Sequence, residues 1–255
     1  MPLGDDRVVS RFHDDFDQLD PEVWLPHYLP HWSSRAESAA AWDVAGSALV
    51  LSIPSEHPLW CPDTHAQPLR VSGVQSGCFS GPVGSTVGQQ PFVQGQTVRE
   101  EQPFWTGWAP HRGLIEVRAR LELSHRSMAS AWLVGLEDEP ERCGEICVFE
   151  VFGDTVGDDG AAVGQGIHAF RDPGLTEAFD APHHVLDVAE WHTYAVDWRD
   201  DRTVFLVDGV VTSIVHQSPT YPMQMILAVF DFPDRAVPDE PAHEPRLLVD
   251  RVVGH

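Results

Sequence analysis

The sequence contains no lysine and no asparagine. All 16 of its basic residues are arginine, set against 39 acidic residues, for a net charge of −23. Arginine without lysine reads as GC-rich coding bias with some salt adaptation. The absence of asparagine removes every Asn-X-Ser/Thr acceptor for N-glycosylation. The acidic excess repels phosphates, so neither nucleic acid nor an anionic membrane surface is expected as a partner. No apolar run approaches the roughly 18 residues of a membrane-spanning helix, which argues against an integral membrane protein. Cysteine is scarce: Cys61, Cys78, Cys143 and Cys147 form no CxxC pair and are expected as buried free thiols. The opening MPLGDDRVVSRFHDDFD holds no apolar leader segment. The chain is therefore expected inside the cell, or outside it with a leader already removed.

What is present is a substantial core. The 255 residues are 42% hydrophobic, with nine Trp and twelve Phe, far from the composition of a disordered chain. That length suits one large domain or two small ones. Residues 54–102 are rich in Pro and Gly and read as long loops near a binding face. Strand signals appear at 48–53 and then dominate from 111 onward. Residues 115–123 alternate apolar and charged without a fault, and 191–198 alternate again. Further strands are predicted at 131–136, 143–152, 225–230 and 247–253. Asp208-Gly209 between two β-branched runs is the best hairpin signal in the chain. No segment keeps a helical period. Many short strands with Gly and Pro between them predict an all-β sandwich or jelly roll, spanning 1–255 as a single domain.

The segment with chemical potential is Gly144-Glu145-Ile146-Cys147-Val148-Phe149-Glu150. In a regular strand Glu145 and Glu150 point to opposite faces. One inserted residue, a β-bulge, would bring them to one face, and bulges recur beside active sites. Two carboxyls held about 5–5.5 Å apart would then suit a retaining glycosidase. The alternative is an edge strand with both glutamates solvated. G-x-S-x-G, P-loop and H-E-x-x-H motifs are absent, and His183-His184 lacks a clear third metal ligand.

This strand resembles the E-[ILV]-D-x-x-E motif of glycoside hydrolase family 16, the laminarinase, lichenase and agarase group. Other segments resemble the family in the same order. They are Asp14-Asp15-Phe16 with Leu19-Asp20 and Trp24, Trp32-Ser33-Ser34-Arg35, and Gly46–Leu51. They continue with Arg112–Arg120, Ser130–Leu133, Trp191–Trp198 with Asp208-Gly209, and Leu248–Val252. The resemblance implies a concanavalin A-like jelly roll and an endo-acting retaining β-glycosidase. The substrate it implies is a β-linked polysaccharide, foremost a β-1,3- or mixed-linkage glucan. A galactan substrate and transglycosylase activity lie within the same resemblance, and a monomer is expected. Glu145 would be the nucleophile, Glu150 the acid/base, and His168 a neighbour of the acid/base.

Two departures stand out. Cys147 replaces the motif's middle Asp, and a thiol is a weak donor to the nucleophile. Met128 stands where the family has a Trp. A catalytically silent carbohydrate-binding protein on the same fold is the alternative reading. For sugar binding the candidates are Arg35, Trp132 and the loop residues Trp32, Trp60, Trp105 and Trp108, whereas Trp24, Trp191 and Trp198 are assigned to the core or strand ends. Arg35 has a surface salt bridge as its alternative. No cofactor is expected for catalysis. The resemblance implies a structural calcium ion at Asp15, the Gly46 carbonyl and Asp250, with unmetallated surface acids as the alternative.

Overall fold

The computed structural model describes residues 11–238 and 243–255. Two antiparallel sheets pack face to face. One has eight strands. Its spatial order is Val210–Val215, Thr203–Val207, His192–Trp198, Gly113–Glu122, Arg246–Gly254, Leu49–Ser52 and Ala41–Val44, with Phe12–Asp14 also pairing on Arg246–Gly254. The other has six, in the order Ala178–Asp180, Gly164–His168, Glu145–Phe152, Ser127–Gly135, Met223–Asp231 and Arg70–Gln75. This is the β-sandwich jelly roll that the alternation and turn signals predict.

The Gly113–Glu122 strand shows how the pattern works. Ile115, Val117, Ala119 and Leu121 are buried, while Glu116, Arg118, Arg120 and Glu122 alternate on the outer face. Asp208 and Gly209 both take left-handed φ, 49° and 74°, which closes the tight hairpin. Asp14 accepts the Trp24 indole N–H at 2.7 Å and the Phe16 amide at 2.8 Å, fixing two fully buried rings at the sandwich edge.

The six-stranded sheet differs. Every residue of Met223–Asp231 and Ser127–Gly135 is buried, so both of its faces are covered. One face meets the other sheet in a core that includes Leu49, Ile115, Val249, Leu133, Val148 and Phe149. The other face is covered by an aromatic layer to which the loops contribute Leu29, Trp32, Trp60, Cys61 and Val98. The Arg70–Gln75 strand had no clear sequence signal. Its Gly73 packs so tightly that an added Cβ would lie 2.9 Å from Ala228 Cβ. A residue that reads as a loop former is here demanded by close strand packing.

Phe149 is fully buried and lies 4.4 Å, centroid to centroid, from Tyr194 of the opposite sheet. Phe149→Ala would leave a cavity between the sheets. It is expected to cost about 3–5 kcal/mol of stability in urea denaturation.

Candidate active site

The Glu145–Phe152 strand carries an irregularity on both sides. Against Ser127–Gly135, Ala131 pairs with Phe149 but the next residue, Trp132, pairs with Cys147. Against Gly164–His168, Gly164 pairs with Glu150 and Gly166 with Cys147. One extra residue is thus accommodated at Val148-Phe149. Val148 and Phe149 are both members of the inter-sheet core, with Ile146 and Val151 on the same side. Glu145, Cys147, Glu150 and Phe152 are left on the opposite face, beside the aromatic layer.

Glu145 is anchored from several directions. The residue before it, Gly144, donates its N–H to Tyr221 Oη at 2.7 Å, and Tyr221 donates to Asp172 Oδ2 at 2.7 Å. A Cβ at 144 would lie 2.4 Å from Leu175 Cδ1 and 2.7 Å from Tyr221 Oη, so a larger residue would have to displace the Tyr221 contact. Gln90 Nε2 donates to Glu145 Oε2 at 3.0 Å. Burial, then the charges of Glu150 and Glu177, push the Glu145 carboxyl up to about 8, against the pull of the Gln90 hydrogen bond. Burial also raises Glu150, and the charge of His168 works against that rise.

Cys147 is buried, and burial together with both glutamates pushes its thiol well above the ordinary value. It is therefore a neutral thiol. Its Sγ lies 3.8 Å from the Gly164 carbonyl. His168 is the cross-strand partner of Glu145 rather than of Glu150, yet its charge reaches Glu150, so it stands beside both. It donates through Nδ1 to Glu177 at 2.6 Å and stacks on Phe179 at 4.5 Å. The Phe179 ring also lies over Gly164, the partner of Glu150, where a Cβ would meet it at 2.4 Å.

The aromatic candidates divide. Trp132, the cross-strand partner of Cys147, lies on the layer's face and is close to Tyr28 and Phe230. Trp60 packs edge-on against Tyr28 and beside Phe92. Beyond Glu150, Phe152, Phe230 and Phe232 form a short ladder, with the Arg235 guanidinium 4.5 Å over Phe232. This ladder supplies rings next to Met128, the partner of Phe152.

Two expected sugar platforms are corrected. Trp32 is fully buried, with its indole donating to the Gln89 carbonyl at 2.8 Å, and offers no free face. Trp108 stacks on Phe12 at 4.0 Å and packs over Gly254, at the eight-stranded sheet. Trp105 pairs with Cys78 in a short ribbon. Arg35 donates to Gln102 at 2.9 Å and lies 4.0 Å from Glu100, in the ion-pair setting that was its alternative. Sequence reading missed Tyr28, Gln90, Glu137, Arg171 and Phe179, each an ordinary residue in an unpatterned segment.

The expected calcium ligands are described. Asp15 pairs with His13 at 2.9 Å. Asp250 accepts an Arg118 N–H through Oδ2, while its Oδ1 is buried with no hydrogen-bond partner. The charge of Asp15 reaches Asp250 and adds to the rise that burial causes. Among the described residues no group of three or more His, Cys, Asp or Glu gathers as a metal site. Of the two Asp250 oxygens, Oδ1 is thus left unpartnered, while Arg118 competes for Oδ2.

Comparison with known proteins decides the family. The profile of glycosyl hydrolases family 16 matches residues 104–236, a little over half of the chain. The chain belongs to this family. Family 16 folds are also what the solved structures show. An endo-β-galactosidase from Clostridium perfringens that releases GlcNAcα1-4Gal superposes with a TM-score of 0.78 at 24% identity, over 95% of this chain and 61% of that one. The chain thus spans about 61% of that relative's length. The laminarinase catalytic domain of Thermotoga maritima gives 0.61 at 18% identity, over 95% and 96%. A lichenase from a mouse hindgut metagenome gives 0.62 at 16% identity, over 96% and 98%. These likenesses establish the shared sandwich. No curated relative matches the sequence.

A carboxyl raised by burial has a stability consequence of definite sign. Below its ordinary value of 4.5, Glu145 is protonated in folded and unfolded chains alike. As pH rises towards about 8, the unfolded chain ionises freely while the folded one resists, so stability falls. Glu145→Gln is expected to raise the melting temperature by about 2–6 °C above pH 8, with the gain shrinking towards pH 4, in thermal melts across pH.

Proposed function

We propose that the chain is an endo-acting retaining β-glycosidase working by double displacement. The observation that carries this reading is the extra residue at Val148-Phe149, which leaves Glu145 and Glu150 on one face. Both carboxyls are raised by burial, and the charge of Glu150 raises Glu145 further. Near neutral pH this coupled pair holds a proton, which burial favours on Glu145 in the free chain. Double displacement needs Glu145 as carboxylate and Glu150 as acid, so the proton must lie on Glu150 when Glu145 attacks.

Glu145 attacks the anomeric carbon and forms a glycosyl ester as the glycosidic bond breaks. The Glu150 proton goes to the leaving oxygen. Glu150, now a carboxylate, takes a proton from water as that water's oxygen attacks the same carbon. Glu145 departs as carboxylate, and configuration is retained. His168, anchored by Glu177, stands beside Glu150. Trp132, Phe179 and the Phe152–Phe232 ladder supply rings for the apolar faces of sugars.

The first substrate class is a β-1,3- or mixed-linkage glucan. A β-galactoside-containing glycan is the second reading, supported by the higher TM-score to the Clostridium perfringens enzyme, 0.78 against 0.61 for the laminarinase. Reducing-end release should appear on one member of a panel of laminarin, mixed-linkage glucan, xyloglucan, agarose, carrageenan and mucin-type glycans. It should vanish in Glu145→Gln and fall at least about 100-fold in Glu150→Gln. Oligosaccharide binding that is equal in wild type and the double variant, with no release, would instead mark a silent carbohydrate-binding protein.

A calcium ion would be held by Asp15, the Gly46 carbonyl and Asp250, and would tie the two chain ends without entering the chemistry. Millimolar calcium is expected to raise the melting temperature of the wild type and to leave Asp250→Ala unmoved, by scanning fluorimetry. Equal responses would remove the site.

A further inference from the structure

Gln90 reaches Glu145 from a loop 55 residues earlier in the chain, and that loop is clamped with unusual care. The Gln89 carbonyl accepts two hydrogen bonds, from Trp32 Nε1 at 2.8 Å and His31 Nε2 at 3.0 Å. Both donors are fully buried in the Pro30–Trp32 turn. Gly88 lies so close to this turn that a Cβ would sit 2.7 Å from His31 and 2.8 Å from Trp32. The Gln89 side chain accepts the Phe79 amide at 3.0 Å. The Gln90 backbone N–H donates to Glu137 Oε1 at 2.5 Å, and Glu137, only 3% exposed, pairs through its other oxygen with Arg171.

Gln90 and Glu137 both hold left-handed φ, 47° and 55°, as non-glycine residues. Such strain persists only where surrounding structure over-determines it, and it concentrates at functional sites. This restraint fixes the backbone from which the Gln90 side chain reaches Glu145, while Gln90 Oε1 is buried with no hydrogen-bond partner. The amide presents Nε2 to Glu145, and that hydrogen bond favours the ionised carboxylate against the rise that burial causes. Cys147, two residues from Glu145 on the same face, is a neutral thiol placed near a backbone carbonyl instead.

We propose that Gln90 is a positioning residue for Glu145. Its side-chain N–H, extended from a clamped backbone, orients the carboxylate for attack and favours its ionised form, which the thiol at 147 cannot do from within the strand. This rests on the assignment of Glu145 as nucleophile. The other charged or titratable groups facing Glu145 are Glu150 and Cys147 on its own strand, His168 and Glu177 beside it, and Tyr28 from the first loops. Glu137 with Arg171 lies beyond Gln90. Gln90 supplies a neutral donor among mostly acidic neighbours.

The test is Gln90→Met, which keeps side-chain length and removes the donor. Carboxyl carbon NMR titration of the full chain is expected to show Glu145 ionising about one pH unit higher, a tenfold loss in ionisation constant. On whichever polysaccharide is cleaved, kcat should fall about tenfold with KM held, and the acidic limb of the rate profile should move up with the titration. Adding Cys147→Asp to Gln90→Met should recover part of kcat, because a protonated carboxyl at 147 can donate in place of the amide. The melting temperature of Gln90→Met is read in wild-type and Glu145→Gln backgrounds, and coupling between the two substitutions is expected.

A Glu145 titration and acidic limb indifferent to Gln90→Met would overturn the positioning role. So would equal losses of stability in both backgrounds, which would make Gln90 a loop residue only. A wild type that releases nothing from any glycan defeats the glycosidase reading. A titration that still moves in Gln90→Met would show that this failure is separate from the amide's hold on Glu145.

Discussion

A strand alternates its side chains between two faces, and a single extra residue reverses that alternation from that point on. In the Glu145–Phe152 strand the extra residue falls between the two glutamates. Val148 and Phe149 both turn into the inter-sheet core, and Glu150 therefore joins Glu145 on the far side. The site depends on this one local defect in an otherwise regular ladder. Phe149 also packs on Tyr194 of the facing sheet, so the bulge is held by the inter-sheet core. Catalytic geometry and core packing are here set by the same two residues.

The second face of the six-stranded sheet is covered by a layer of rings and loops, with the two carboxyls at its margin. Low water content raises both carboxyls and strengthens every hydrogen bond made to them. The same burial makes each unsupported charge costly, and the structure answers with partners drawn from distant segments. Gln90, Glu137, Arg171, Tyr221 and Asp172 form two short chains of contacts that end on Glu145 or on the residue before it. The neutral thiol at 147 sits among them without adding charge.

Much of the fold could be read from the sequence because its outer sheet obeys strict alternation. Residues 113–122 and 192–198 have one wet face, and the Asp208-Gly209 turn needs two left-handed residues. The inner sheet was harder to read. Arg70–Gln75 is buried on both faces and carries Ser72 and Gly73, which mimic a loop. The two glutamates were legible because they are five apart on one strand. Gln90, Glu137 and Arg171 were not, because they are close only in space and none has a local pattern. Trp32 was misread for a related reason. A tryptophan in a loop looks available, but its indole is used to hold the Gln89 carbonyl.

The position of the Arg246–Gly254 strand has a consequence for how the chain is made. It lies between Gly113–Glu122 and Leu49–Ser52, near the middle of the eight-stranded sheet, and pairs also with Phe12–Asp14. It is synthesised after every other strand described. Until it emerges, Leu49–Ser52 and Gly113–Glu122 have open edges where their shared neighbour belongs. The eight-stranded sheet can close only after residues 246–254 are made, through pairings of very large sequence separation.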